Sequence, residues 1–424
     1  MKSSTSKNTR ASSRWRIGLT IALFVAFSAA TCVSAYAQVR YHVEDLGTLK
    51  GGNFGCAMGL NNKGWTEVMD TLLDKKSGNM LLRASLRIDG VKIDLGTLGG
   101  PNSLINWGGI NQRASAVGFA ETSTPDPNGE DFCFFGTGLT CRPFLWQDGD
   151  MAALPTLGGN NGQASAINSR GQIVGQAETA AVDSGCPPYR IAPPVLWQKG
   201  VAEQLPTVEG DPDGVAVGIN DSGQAVGYTG TCNAVLHAVL WENGVATELP
   251  NLGSTSTNDA VAINNRGQIV GGSSPDSTTF YAVLWQNGEI TKLGTISGDF
   301  ASYASGINDK GQVVGTSFDA NFNPVHAFLW EDGVMTDLST LFPPGFYLYP
   351  TMANKINARG QISGMATDLK TGTIHAFLAT PAQGESDTAA PKNEATPIPR
   401  VNLPENVRRI LMQSLGAGRI PAKR

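Results

Sequence analysis

Charge and catalytic side chains are scarce in this sequence: Asp, Glu, Lys and Arg make up 16% of its 424 residues, aromatics 8%, and histidine occurs four times. So few histidines leave little material for a histidine-based centre, and no Ser-His-Asp or Cys-His constellation can be picked out of the chain. A glycine-rich phosphate loop, set after a strand and opening a helix, is also missing. After residue 37 no apolar run is long enough to cross a bilayer as a helix. Nor is there a basic excess. Lys2, Lys7, Arg10, Arg14 and Arg16 stand at the start without acids, so the rest carries 26 basic against 36 acidic residues, a net of −10. A surface of that sign disfavours nucleic acid, which demands basic patches against phosphate.

The first 37 residues differ from the rest. The basic start runs into an apolar stretch from Ile17 to Ala30, then into Ala35-Tyr36-Ala37. That order reads as a secretory signal peptide cleaved before Gln38; the stretch is short for an uncleaved membrane anchor. The expected location is therefore outside the cytoplasm, secreted or periplasmic, with a mature chain that does not span the membrane. Five cysteines follow the cleavage point, Cys56, Cys133, Cys141, Cys186 and Cys232. In an oxidising compartment they can pair, and their odd number leaves one over.

Internal repetition decides the fold. An isoleucine or leucine followed by asparagine recurs at Asn61, Asn111, Asn168, Asn220, Asn264, Asn308 and Asn357, spaced 50, 57, 52, 44, 44 and 49 residues apart. Between these come Phe144-Leu145-Trp146, Val195-Leu196-Trp197, Val239-Leu240-Trp241, Val283-Leu284-Trp285 and Phe328-Leu329-Trp330. Each such tryptophan precedes two polar residues and a glycine. Asp94-Leu95-Gly96-Thr97-Leu98 represents a third phrase. In the sixth copy, residues 302–308, 312–315, 326–330 and 334–338 read as four strands joined by glycine turns. Four antiparallel strands repeated seven times predict an all-β, seven-bladed β-propeller over residues 38–381; an open solenoid is the alternative. Residues 41–49 resemble a fourth strand, and the last repeat ends on a third, so the N-terminal strand is expected to close the ring.

These phrases resemble the HAF-type extracellular repeat proteins, known for the triplet His-Ala-Phe. The triplet stands at His326-Ala327-Phe328 and His375-Ala376-Phe377, with His237-Ala238-Val239 as a variant, and the likeness covers residues 41–380. The resemblance implies export and a repeat fold and brings no activity with it. Leu86-Arg87 replaces Leu-Trp in the first copy, and the second lacks the turn glycine after Asn111.

Loop lengths mark where function should lie. Turns inside the two hairpins are short and uniform, whereas the connections from second to third strand vary, with long ones from Ala120 to Arg142 and from Ala177 to Ala192. Variation marks a surface free to specialise. Cys133 and Cys141 could close a nine-residue ring in the first long loop, and Cys186 and Cys232 could bridge adjacent ones. Five residues before each repeated asparagine stand Cys56, Asn106, Gln163, Val215, Asp259, Tyr303 and Met352. Asn106, Gln163, Asp259 and Tyr303 are the binding residues expected at the channel mouth. His237, His326 and His375 share one blade position, which favours a structural role; His42 lies in the expected closing strand. Asp126, Asn128 and Glu130 alternate around Gly129 as calcium ligands would, and as polar turns also do, so no metal or cofactor is assigned.

After Pro381 the composition becomes that of a flexible linker, residues 382–401, followed by a basic tail, 402–424, with helical spacing at Val407, Ile410, Leu411 and Leu415. The expected function is a non-catalytic binding scaffold working through the loop-rich face on a protein or glycan. A carbohydrate hydrolase or lyase acting in the channel is the alternative.

Overall fold

The computed structural model describes residues 40–382 except 106–108, 188, 232–233, 254–257 and 277; the expected signal peptide, nearly all of the expected linker and the expected tail lie outside the described residues. Twenty-eight strands form seven antiparallel sheets of four. Blades 1 to 6 occupy residues 55–94, 99–153, 158–204, 213–248, 258–294 and 301–337, each laid down from inner to outer strand. Blade 7 contains Leu348–Ile356, Ile362–Asp368 and Ile374–Pro381, and its outer strand is the N-terminal Tyr41–Gly47. Tyr41 pairs with Pro381 and Glu44 with Leu378. The chain is a seven-bladed β-propeller whose ring is closed by its own N-terminal strand. Arg87, which stands where later blades carry tryptophan, forms an ion pair with Glu44 of that closing strand.

The repeated asparagine explains the seven-fold order. Its side-chain oxygen accepts backbone N–H groups two and four residues on, as at Asn308 from Lys310 (3.0 Å) and Gln312 (3.1 Å), and so folds the inner hairpin turn. Its amide nitrogen donates to the backbone carbonyl of the next blade's asparagine: Asn168 to Asn220 (3.1 Å), Asn220 to Asn264 (3.1 Å) and Asn264 to Asn308 (2.9 Å). Asn308 reaches Asn357 (3.0 Å), Asn357 reaches Asn61 (2.9 Å) across the closure, and Asn61 reaches Asn111 (3.0 Å). One residue type thus makes the turn and locks the neighbour.

The core lies between blades. Trp197, Trp241 and Trp285 are 1–2% exposed, and each indole N–H donates 2.7 Å to a proline carbonyl, of Pro155, Pro206 and Pro250 respectively. The Trp241 cluster joins Ala166 and Val174 of blade 3 to Ala216 and Val239 of blade 4; the Trp285 cluster joins blades 4 and 5 in the same way. Close strand contact demands glycine at one second-strand position. A Cβ on Gly315 would lie 2.0 Å from the Tyr303 carbonyl oxygen and 2.5 Å from the Phe328 ring.

Inner strands also carry a one-residue register shift just before the asparagine, between Ala216 and Gly218, Ala260 and Ala262, and Ala304 and Gly306 among others. A bulge of this kind reverses which face the following side chains take.

Candidate functional site

The two faces of the disc differ in construction. On one, all seven asparagine turns surround a polar depression of about 200 Å³ at the channel end. Basic residues stand exposed at the tips of six of these turns, Lys63, Arg113, Arg170, Arg266, Lys310 and Arg359, with Ser222 on the seventh. Asn265 takes part in a second circuit, its backbone N–H donating to Asp309 (2.8 Å) while its side chain accepts from the Asp221 N–H (3.0 Å). The turn face is bonded throughout and nearly identical from blade to blade.

The opposite face is built from connections between second and third strands, which differ in length and are folded by aspartates. Asp74 accepts from the Lys76 N–H (3.1 Å), Asp126 from Asn128 (2.8 Å) and Glu130 (3.1 Å), and Asp183 from Gly185 (2.8 Å). Asp276, Asp319 and Asp368 do the same in blades 5, 6 and 7. These carboxylates hold loop shape instead of facing outward for a ligand. The disulfide expected between Cys133 and Cys141 is present and clamps the long connection of blade 2. Cys186 is also disulfide-bonded, and Cys232, its expected partner, lies outside the described residues. Cys56 is a free, buried thiol that burial pushes up to about 12.

Exposed apolar side chains are distributed unevenly on this scaffold. Val91, Val201, Val245 and Val334 open the outer strands of four blades. The other large exposed apolar residues among those described are Leu73, Met80, Phe134, Val182, Tyr189 and Leu369, all on or beside second-to-third-strand loops. They belong to blades 1, 2, 3 and 7, a continuous sector of the ring. Tyr189 is 51% and Val182 54% exposed. Behind Phe134, Phe135 packs on Phe119 with ring centroids 5.9 Å apart, so the loop that presents it is anchored to the blade.

Beneath the same sector three carboxylates meet one amide. Asn161 Nδ2 lies 2.8 Å from Asp126, 3.2 Å from Glu130 and 3.1 Å from Glu178, and all four residues are at least nine-tenths buried. Burial, and next the Glu178 carboxylate, push Glu130 up to about 8. Among the described residues no group of three His, Cys, Asp or Glu side chains is disposed to hold a metal ion.

The binding positions expected at the channel mouth are placed otherwise. Asp259 and Tyr303 are 0% exposed, so neither stands on a solvated rim. Tyr303 donates 2.8 Å to Asp259, joining blades 5 and 6, and stacks on Phe280 at 5.3 Å. Burial pushes the Asp259 carboxyl up to about 7 against that bond. Gln163 is half-buried, and Asn106 lies outside the described residues. Cys56, Val215 and Met352 at the same position are buried in one apolar cluster with Tyr303. At Cys56, Val215, Asp259, Tyr303 and Met352 this inner-strand position is packing, not rim. Two charged residues that break the repeat went unremarked in the sequence: Glu67, where other blades have valine or serine, and Lys355, where others have glycine or alanine. Glu67 is fully buried and pushed well above the carboxylate range; burial lowers Lys355 to about 8, opposed by Glu67. The three repeat histidines each place Nδ1 on an aspartate, His237 on Asp211 (2.7 Å), His326 on Asp299 (2.8 Å) and His375 on Asp45 (2.9 Å).

Comparison with known proteins assigns this chain neither a family nor an activity. No family model matches the chain, and no curated protein matches it. Among solved structures it is similar to an acylaminoacyl peptidase from Pyrococcus horikoshii, at 16% identity and TM-score 0.44 over 74% of this chain. The match spans 50% of that peptidase's length. A streptogramin B lyase is similar at 11% identity and TM-score 0.45, over 80% of this chain and 98% of the lyase. TolB from Acinetobacter baumannii is similar at 14% identity and TM-score 0.38, over 72% of this chain and 61% of TolB. Likeness at this level brings none of these proteins' chemistry to the chain.

Proposed function

We propose that this chain is an exported binding scaffold of the HAF-repeat kind, non-catalytic in its main role. In this reading it holds an extracellular or periplasmic protein or glycan on the loop crest of blades 7, 1, 2 and 3. One observation carries the reading: among the described residues, the large apolar side chains exposed on the loop face, Leu73, Met80, Phe134, Val182, Tyr189 and Leu369, fall on neighbouring blades. Contiguous exposed apolar side chains on loops mark contact surfaces, and aromatic anchors dominate binding energy. Internal aspartate bonds and the disulfide support it further, because loops held in one shape lose less freedom on binding. Export rests on the basic leader and its apolar run, and the disulfides suit an oxidising compartment.

The test compares the mature chain with a Phe134→Ser, Tyr189→Ser double variant on immobilised oligosaccharides and exported proteins of the source cell. Both substitutions are superficial and should change stability by no more than about 0.5 kcal/mol each. Retention of the parent together with loss of at least about tenfold affinity in the variant supports the reading. Equal retention of the two would remove the crest from the account.

A further inference from the structure

Three repeat histidines share a position and an aspartate partner, but one of them continues into a longer chain of bonds. His375 Nδ1 lies 2.9 Å from Asp45 Oδ2, and its Nε2 lies 3.0 Å from the Thr373 hydroxyl. Asp45 is fixed from two further sides, its Oδ1 accepting from the Gly47 N–H at 2.7 Å and its Oδ2 from the Tyr347 hydroxyl at 2.8 Å. Among the described contacts of His237 and His326, none links the second ring nitrogen to a hydroxyl. We propose that Thr373, His375 and Asp45 are a nucleophile, a base and an orienting carboxylate that cleave small esters at the loop face of blade 7.

The geometry meets the requirements of such a relay. A carboxylate on Nδ1 fixes that nitrogen as the proton-bearing one and leaves Nε2 to accept from the hydroxyl. Burial and the Asp45 carboxylate push Tyr347 up to about 12, so it stays protonated and continues to donate. The three residues sit where a substrate can arrive: Thr373 is half-buried, the His375 and Asp45 side chains are each 21% exposed, and Leu369 nearby offers apolar surface for an acyl group. Thr371 Oγ1 lies 2.6 Å from Thr373 Oγ1 and is the nearest hydroxyl to the point of attack.

In the step, Thr373 Oγ bonds to the ester carbonyl carbon while its proton passes to His375 Nε2. The carbon–oxygen bond to the alcohol breaks, and the leaving oxygen takes that proton. Water then attacks the threonyl ester, giving its proton to His375, which returns it to Thr373 as the acid departs. No electrons change hands, and water is the only co-reactant. This proposal stands apart from the binding reading and neither requires nor excludes a partner on the crest.

The experiment measures p-nitrophenyl acetate and butyrate hydrolysis by the full mature chain and by Thr373→Ala, Thr373→Ser and His375→Gln, with melting curves to confirm folding. Thr373→Ala and His375→Gln should be slower by at least about 100-fold, while Thr373→Ser keeps activity. A fluorophosphonate should add one phosphonyl group, located by peptide mass at position 373. A parent no faster than Thr373→Ala, or labelling that survives that substitution, would overturn the proposal. Should Thr373→Ala and His375→Gln fail to fold, the labelled position in the parent and in Thr373→Ser decides alone.

Discussion

At Glu130 burial and the Glu178 carboxylate both oppose ionisation, and the sign of the consequence follows directly. In the unfolded chain the carboxyl ionises near 4.3, in the fold at about 8. Below the lower value both states hold the proton and pH has no effect through this group. As pH rises from there to about 8 the unfolded state alone gives up its proton, so stability falls, levelling off above the higher value. Glu130→Gln should therefore flatten the pH profile and gain on the order of 1–2 kcal/mol over the parent at pH 8.5, solvent screening allowed for, with little gain at pH 4.5. Urea denaturation at the two pH values measures it, and an unchanged pH slope would exclude Glu130 as the source. Trp241 makes the complementary case, with its ring wedged between blades and its N–H on the Pro206 carbonyl. Trp241→Ala should cost roughly 3–5 kcal/mol, read from the same denaturation curves.

At the scale of strands the closing element carries the clearest expectation. Removing residues 38–47 strips Ile374–Pro381 of its neighbour and deletes Glu44 and Asp45, the partners of Arg87 and His375. The melting temperature should fall by at least roughly 10 °C, with aggregation through the freed edge, and calorimetry of the shortened chain would show it. Strand order and closure were legible from the chain because asparagine, glycine and Leu-Trp recur at fixed places, and because residues 41–49 match a fourth strand that the last repeat lacks. What covers the inner-strand side chains was not. Counting back from the repeated asparagine places Asp259 and Tyr303 where the inner strand enters, but it does not show that neighbouring side chains cover them, as the Tyr303–Asp259 bond and the Tyr303 stack on Phe280 do. The relay at His375 was hidden for a different reason: its aspartate lies 330 residues away and meets it only through closure. Cys133–Cys141 was readable as a pairing because both fall in one long loop, although spacing alone left Cys56 open as a partner.

Taken as a whole, the molecule divides its labour between two faces. Closely similar asparagine turns bond blade to blade on one, so a change there is felt by the neighbouring blade. On the other, the loops of blades 1, 2, 3, 5, 6 and 7 are each folded by an aspartate of their own and can differ without disturbing the ring. That division predicts where contact with a partner occurs even before the partner is identified. The measurement that tests it places a photoreactive p-benzoylphenylalanine in turn at positions 134, 189 and 369 on the crest, and at 243, 287 and 332 on the turns of the opposite face. The full-length protein is irradiated in its own cells, and adducts are read by mass. Adducts from the crest positions and none from the turn positions are the predicted result; adducts confined to the turn positions, or equal from both, would contradict the assignment of function to the loop face.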